Sequence, residues 1–337
     1  MHALDGLRGV AAAVVVVSHG TAMMLGAPIA PRKYLAVHFF WMLSGFVIAH
    51  AYQPRLNSGM TLATYLRCRA VRLYPLIIIA ALLGAVVLSL TSWRFVWSDP
   101  NAVAAMVAAM LGLPIAQQVF SSGNFPINPP EWSLFWELIM SALFGLVIYK
   151  MPTRAIACLA GAGFTAYSTA LAWQQTNDLP LIVQGAPAMA AFAGGIMLHR
   201  LQHILPTPPM PIWITIAVLI GVAALPLSWG WWYDPACMLL VFPAIILCGA
   251  RSPVSSPIVR TLGDVSYPLY ILHWPVLVAC NAVLLPRIGA GPALLFASVV
   301  SAVAAYAALR WYDVPVRAAL DRSFRSAPKR CRGVGTL

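Results

Sequence analysis

Apolar runs close to twenty residues long recur along the whole chain, separated by short polar or basic stretches. A helix rising ~1.5 Å per residue needs about twenty residues to cross a hydrocarbon core of ~30 Å, and it satisfies its backbone hydrogen bonds internally, as lipid requires. The runs fall at 6–25, 35–52, 75–92, 131–149, 154–173, 181–200, 211–229, 236–250, 264–285 and 291–312. Composition agrees, since 61% of the 337 residues are hydrophobic and 9% are charged, where a soluble domain carries about a quarter charged. The expected fold is all-α: a polytopic integral membrane protein of about ten transmembrane helices in one domain over residues 1–317, followed by a basic cytoplasmic tail over 318–337. The first run has no basic start and no A-x-A cleavage pattern, so it is expected to stay as a helix rather than be removed as a signal peptide.

An eleventh apolar stretch, 102–120, carries Gly112 and Pro114 and runs into SSGNFPINPP. If it crossed fully, every later loop would change side. Lys and Arg concentrate in cytoplasmic loops, which decides between the options. With both termini cytoplasmic and 102–120 not crossing, seventeen Lys and Arg residues lie inside and four (Arg32, Lys33, Arg94, Arg287) lie outside. The expectation is therefore ten crossings and one re-entrant or interfacial segment, in the inner cell membrane. The net charge of +12 is explained by this topology and the basic tail, and no nucleic-acid partner is expected. Six cysteines show no C-x-x-C spacing, and Cys158, Cys237, Cys248 and Cys280 lie inside apolar runs. They read as small packing residues, with neither a disulfide nor a metal site expected.

Within this apolar background a few polar residues stand out. Arg8 and His19 are eleven residues apart in the first run. Eleven steps of ~100° bring both side chains to one helical face, ~16 Å apart along the axis. A buried Arg or His in a membrane costs several kcal/mol and usually marks a pathway, a partner or a reaction. A snorkelling Arg and a His satisfied by a neighbouring helix is the bland alternative. In EWSLFWELIMSALF, Ser133, Glu137 and Ser141 form a polar stripe at spacings of four, and Glu137 is expected two turns in from the outer end, paired with a His or Arg or acting as a packing ion pair. In DVSYPLYILHWPV, Ser266, Tyr270 and His273 share a face, with Pro268 and Pro275 expected to bend the helix. His273 fits a proton carrier, a substrate contact or a core histidine. Arg67, Arg69 and Arg72 cluster at the cytoplasmic side after Thr61, a candidate N-cap, with Pro75 expected to open the following helix. Paired guanidinium groups suit a phosphate-bearing ligand, and lipid headgroups would serve equally as their partner.

The order and wording of these segments resemble the membrane acyltransferase 3 family of bacterial O-acyltransferases that modify O-antigen and exopolysaccharide. LDGLRGVAAAVVVVSH matches its opening R-x10-H helix. The likeness continues through HFFWMLSGFVIAH, the R-x-x-R of Arg69 and Arg72 before Tyr74-Pro75, WSLFWE, LGDVSYPLYILHWPV and WYDVP. R-x10-H or R-x-x-R alone is unspecific; the ordered set, over residues 4–317, is not. The resemblance implies an enzyme that moves an acyl group, most often acetyl, from cytoplasmic acyl-CoA as co-substrate to a hydroxyl of an envelope glycan or glycolipid. It implies that Arg8 and His19 are the essential pair, that Arg69 and Arg72, with Arg67 beside them, serve the CoA end, and that Glu137 is the acidic residue of the W-S-L-x-x-E motif. A catalytic link from Glu137 to the His19 imidazole is one expectation; Ser133, Tyr270 and His273 are expected to line the substrate cavity. The sequence departs from the family at Asp313, where glutamate is commoner, and at Trp41-Met42, where small apolar residues are commoner. The esterase-like extra domain of some relatives is not expected here. An ion-coupled transporter or flippase of a lipid-linked glycan is the main rival, since buried His, Arg and Glu also mark such pathways, but the paired broken-helix repeats of transporters are not evident. A sensor or scaffold subunit without chemistry would leave the joint occurrence of these motifs unexplained.

Overall fold

A computed structural model describes residues 2–92, 96–116, 123–174, 180–205, 210–226, 230–254 and 256–323, and the described residues are helical with no strand. In chain order the helices are α1 (His2–Leu25), α2 (Tyr34–Asn57), α3 (Leu62–Thr91), α4 (Pro100–Met110), α5 (Glu131–Leu146), α6 (Thr153–Gln174) and α7 (Gly185–Leu201). They continue as α8 (Ile212–Ala224), α9 (Tyr233–Ala236), α10 (Phe242–Arg251), α11 (Pro257–Val283), α12 (Leu285–Ile288), α13 (Ala290–Ala307) and α14 (Val314–Ser323). The pair α9 and α10 is joined by a π-helical segment at Cys237–Val241, and α13 and α14 by another at Ala308–Asp313. Each of the ten expected runs carries a helix, and among the described residues six helices are long and apolar enough to cross a membrane unaided. The expected tail begins inside α14, and its residues from 324 lie outside the described ones.

Helix α2 is the centre of the bundle. In its most apolar window 67% of residues are buried, against 22% for Thr153–Trp173 and 28% for Ala290–Ser323, so α6 and α13 turn most of their surface outward. Trp41, Phe39 and Phe46 of α2 anchor the main core with Tyr65, Phe144, Phe192 and Phe242 from its neighbours. Backbones approach closely where glycine removes the side chain, as small residues allow in membrane helices. A Cβ at Gly195 of α7 would overlap the Met42 carbonyl, one at Gly45 would overlap the Phe192 carbonyl, and one at Gly9 would stand 2.7 Å from the Leu262 carbonyl of α11.

One expectation about a helix end is corrected. Thr61 caps α3 as expected, its Oγ1 accepting from the Thr64 amide at 3.2 Å, but Pro75 does not open a new helix. It sits inside one continuous 30-residue helix, where losing one backbone bond is tolerated because neighbours hold both halves. Helix α11 likewise runs through Pro268 and Pro275. The Ile271 carbonyl, deprived of its partner by Pro275 four residues on, accepts instead from Asn128 Nδ2 at 2.9 Å.

Of the stretch 102–120, residues 117–120 lie outside the described ones. Helix α4, ~16 Å long, packs on the later half of α3 through Ala102, Ala105 and Ala109 against Ala81 and Ala85. At its end the Leu111 carbonyl accepts from Tyr74 Oη at 3.2 Å. The chain then turns back, and Ile127 packs on Gly84. Helix α5 consequently runs antiparallel to the first half of α3, with Glu137 beside Arg69 and Gly145 beside Tyr65. The N-terminus of α5 therefore stands beside the middle of α3, and Glu137, about two turns into α5, lies beside Arg69. Reporter fusions at Gly123 and Pro152 should report opposite sides of the membrane, with Gly123 outside; the same side for both would contradict this path.

At the end of the bundle remote from Arg69, Arg32 is only 1% exposed and ion-paired to Asp234, which also accepts from Tyr34 Oη at 2.7 Å and Tyr167 Oη at 3.3 Å. The guanidinium lies 4.4 Å from the Tyr233 ring centroid. A loop arginine on charge-count grounds is thus a buried tie between the start of α2, α6 and α9. Cys68 is disulfide-bonded, which corrects the expectation of no disulfide. Cys158, Cys237, Cys248 and Cys280 form no disulfide.

Candidate active site

Two helices bring three arginines to one cavity of about 110 Å³ lined by five helices, several times the ~10–15 Å³ that a single water needs. Arg8 comes from α1, Arg69 and Arg72 from α3, and Glu137 and Ser133 from α5; Ser266, Tyr267 and Tyr270 of α11 complete the polar lining, with Phe40, Trp41 and Ser44 from α2. The helical spacing explains the grouping. Arg69 and Arg72 are three apart, Ser133 and Glu137 four apart, and Ser266 and Tyr270 four apart, so each pair shares a face.

The partners of the charged groups differ sharply. Arg8 Nε donates to Ser266 Oγ at 2.9 Å, and its Nη2 donates to the Gly263 carbonyl at 3.1 Å and lies 3.5 Å from Asp5 Oδ1. Arg69 Nη2 donates to Glu137 Oε1 at 3.1 Å, and its Nε donates to Ser141 Oγ at 2.9 Å. Ser44 Oγ also donates to Glu137 Oε1, at 2.6 Å. Arg72 makes no hydrogen bond among the described residues; its electrostatic surroundings are Arg8, Arg69 and Arg317, partly offset by Asp313. One carboxylate therefore faces three guanidinium groups in the lining, and one of the three has its donors unspent. Such a site attracts an anion with several acceptor oxygens.

Glu137 does not serve the histidine. Its carboxylate is engaged by Arg69 and Ser44, and the partner of His19 is His273, with Nδ1 of His19 3.0 Å from Nε2 of His273. The two rings lie with centroids 5.3 Å apart and planes 10° from parallel, and Trp274 meets His19 edge-on. His273 is fully buried, and its Nδ1 donates to the Tyr270 carbonyl at 2.7 Å. His19 and His273 are not among the cavity-lining residues, but Tyr270 lines the cavity and holds His273 through its backbone. The side chain of Tyr270 is fixed by Ser133, hydroxyl to hydroxyl at 2.6 Å. Ser133 and Tyr270 thus line the cavity as expected, His273 does not, and Arg67 is outside the lining. Among the described residues no group of three or more His, Cys, Asp or Glu side chains is arranged to hold a metal ion.

A family model described as an acyltransferase domain matches residues 1–310. This chain is a member of the acyltransferase 3 family. The acyltransferase is 26% identical over 329 residues to Acyltransferase MdmB of Streptomyces mycarofaciens, covering 81% of this chain and 78% of that one. It is 26% identical over 305 residues to the putative membrane-bound transacylase BcsY of Komagataeibacter xylinus (83% and 74%) and 26% identical over 280 residues to the exopolysaccharide production protein ExoZ of Rhizobium meliloti (79% and 83%). No solved structure matches it.

Several residues around the acyltransferase's cavity carry no periodic signal in the sequence. Ser44 stands alone in the apolar run of α2, yet it binds Glu137. Asp5 and Asp264 lie close enough to influence Arg8, and Asp264 falls off the Ser266, Tyr270 and His273 face. Asn128 and Glu131 are fully buried before and at the start of α5, joined Nδ2 to Oε1 at 3.2 Å. Only their place in a polar, proline-rich stretch hinted at them.

Proposed function

We propose that this multi-pass membrane acyltransferase takes an acyl group, most simply acetyl, from acyl-CoA at the cytoplasmic mouth of the three-arginine cavity and delivers it to a hydroxyl of an envelope glycan or glycolipid. The observation that carries the reading is the convergence of Arg8, Arg69 and Arg72 on one cavity whose lining residue Tyr270 holds His273, and through it His19. Phosphate oxygens of the donor fit the unspent Arg72 guanidinium, with Arg69 and Arg8 behind it. The cavity suits a slender thioester arm rather than a nucleotide, so the nucleotide stays at the mouth and the arm enters. His19, ~16 Å further along α1 than Arg8, is where the donor carbonyl meets an acceptor arriving from the other face.

Catalysis then asks two things of the chain. The hydroxyl must lose a proton as it attacks the thioester carbonyl, and the departing thiolate must gain one. A neutral imidazole does both. Attack through a transient acyl-histidine needs the same unprotonated ring. Arg8 lines the cavity and ties α1 to α11 through Ser266 and Gly263, which keeps His19 in register with His273. Two relatives, a putative membrane-bound transacylase and an exopolysaccharide production protein, support a polysaccharide or glycoconjugate acceptor. Ten crossings with both termini cytoplasmic in the inner membrane complete the proposal, supported by the antiparallel run of α5 along α3.

Mass spectrometry of envelope and secreted glycans from a deletion strain tests the function. One acyl mass should be lost from a glycan and restored by the wild-type gene; glycans of identical mass with and without the gene would remove the proposed acceptor class.

A further inference from the structure

We infer that His273 is a positioning residue that sets the tautomer of His19, leaving Nε2 of His19 as the base; this rests on the reading of His19 as the proton acceptor. A carbonyl oxygen can only accept a hydrogen bond. The Tyr270 carbonyl is 2.7 Å from His273 Nδ1, so that nitrogen carries the proton. A neutral imidazole has one N–H, and Nε2 of His273 is therefore an acceptor. Its neighbour at 3.0 Å is Nδ1 of His19, which must donate. His19 is left with a lone pair on Nε2, and no described residue hydrogen-bonds to that atom. The opposite assignment would require an imidazolium at His273. That ring is fully buried, and among the described residues no carboxylate is hydrogen-bonded to either histidine, so a resident charge there is costly.

The arrangement does the work that a carboxylate does in a serine hydrolase triad, with a helix carbonyl as the fixed end. Tyr270 is held by its own hydroxyl bond to Ser133, and the His19 ring is held by its hydrogen bond to His273 and by the perpendicular ring of Trp274. In the reaction the acceptor O–H proton passes to Nε2 of His19 as the oxygen bonds to the thioester carbon. The Nδ1 proton is shared toward Nε2 of His273, which spreads the charge over two rings. When the C–S bond breaks, the Nε2 proton goes to the thiolate and both rings return to their starting state. Thioester and alcohol become ester and thiol, with no other reactant.

Two substitutions separate this role from simple packing. In His273→Gln the side-chain amide oxygen reaches the position of Nε2 and accepts from His19 Nδ1. In His273→Asn the shorter amide reaches only the position of Nδ1 and leaves His19 without its acceptor. Full-length purified protein should keep kcat within about tenfold for Gln and lose about a hundredfold or more for Asn, within the range for general-base defects, with KM for acyl-CoA unchanged in both. Equal kcat losses in the two variants, or Asn retaining wild-type kcat, would overturn the inference. Nitrogen-15 spectra of histidine-labelled wild-type protein give a second reading that needs no variant to fold: Nδ1 protonated and Nε2 bare on both rings is expected, and a protonated Nε2 on His19 overturns it. His19→Ala, run alongside, keeps the two readings apart. If it retains activity, the base reading fails, and if it is inactive while Asn at 273 is fully active, only the present inference fails.

Discussion

His19→Ala is expected to cut acyl transfer by ~10²–10⁴-fold, the span usual for removing a general acid-base group, while the protein still inserts and folds. The structural cost is small and local. His19 is only partly buried, and its one hydrogen bond is the contact with His273. Losing it leaves one ring nitrogen of His273 without a donor, about 1–3 kcal/mol for a buried acceptor, less than the stability of a bundle whose core centres on α2. Acyl-CoA binding should be unchanged, because the three-arginine cavity does not include His19. A variant that turns over at near wild-type rate would remove His19 from the chemistry.

Arg72→Gln should weaken acyl-CoA binding by at least tenfold with little loss of fold, whereas Arg69→Ala should lose both. The contrast follows from their partners. Arg72 has no hydrogen bond among the described residues, so its removal costs the ligand and spares the protein. Arg69 is held by Glu137 and Ser141, and taking it away leaves a partly buried carboxylate unpaired. Breaking a buried ion pair from one side costs ~3–5 kcal/mol, reduced here because both side chains keep some solvent contact, 12% and 15%. Adding Glu137→Gln to Arg69→Ala should therefore recover thermal stability without recovering acyl-CoA affinity. Titration calorimetry with a non-hydrolysable acyl-CoA analogue and a melting curve read the two effects separately. Unchanged affinity in Arg72→Gln would refute its role, and an Arg69→Ala protein as stable as wild type would refute the structural half of the argument.

What could be read from the residues alone divides along a physical line. Helical faces were legible, because a 3.6-residue period places Ser133 above Glu137 above Ser141, and Ser266, Tyr270 and His273 together, whatever the surroundings. Partnership between helices was not. The sequence leaves Glu137 open to a His, an Arg or a packing ion pair, and the choice depends on packing: Glu137 meets Arg69, not His19, because α5 starts beside the middle of α3, and His19 meets His273 because glycines let α1 lie against α11. Proline misled for a related reason. Pro75 looks like a boundary in isolation and is absorbed into a long helix once neighbours hold both sides. Charge counting puts Arg32 in an outer loop, and it records side but not burial.

The central claim is that a histidine inside the membrane moves an acyl group off a donor bound at three arginines. Purified wild-type protein and His19→Ala, each reconstituted with acetyl-CoA and a glycan acceptor from the deletion strain, should be followed by release of free CoA thiol. The account predicts acceptor-dependent thiol release by wild type, none above background by His19→Ala, and equal acetyl-CoA binding by both. Wild-type protein that binds no acetyl-CoA, or His19→Ala that releases thiol at the wild-type rate, would contradict it.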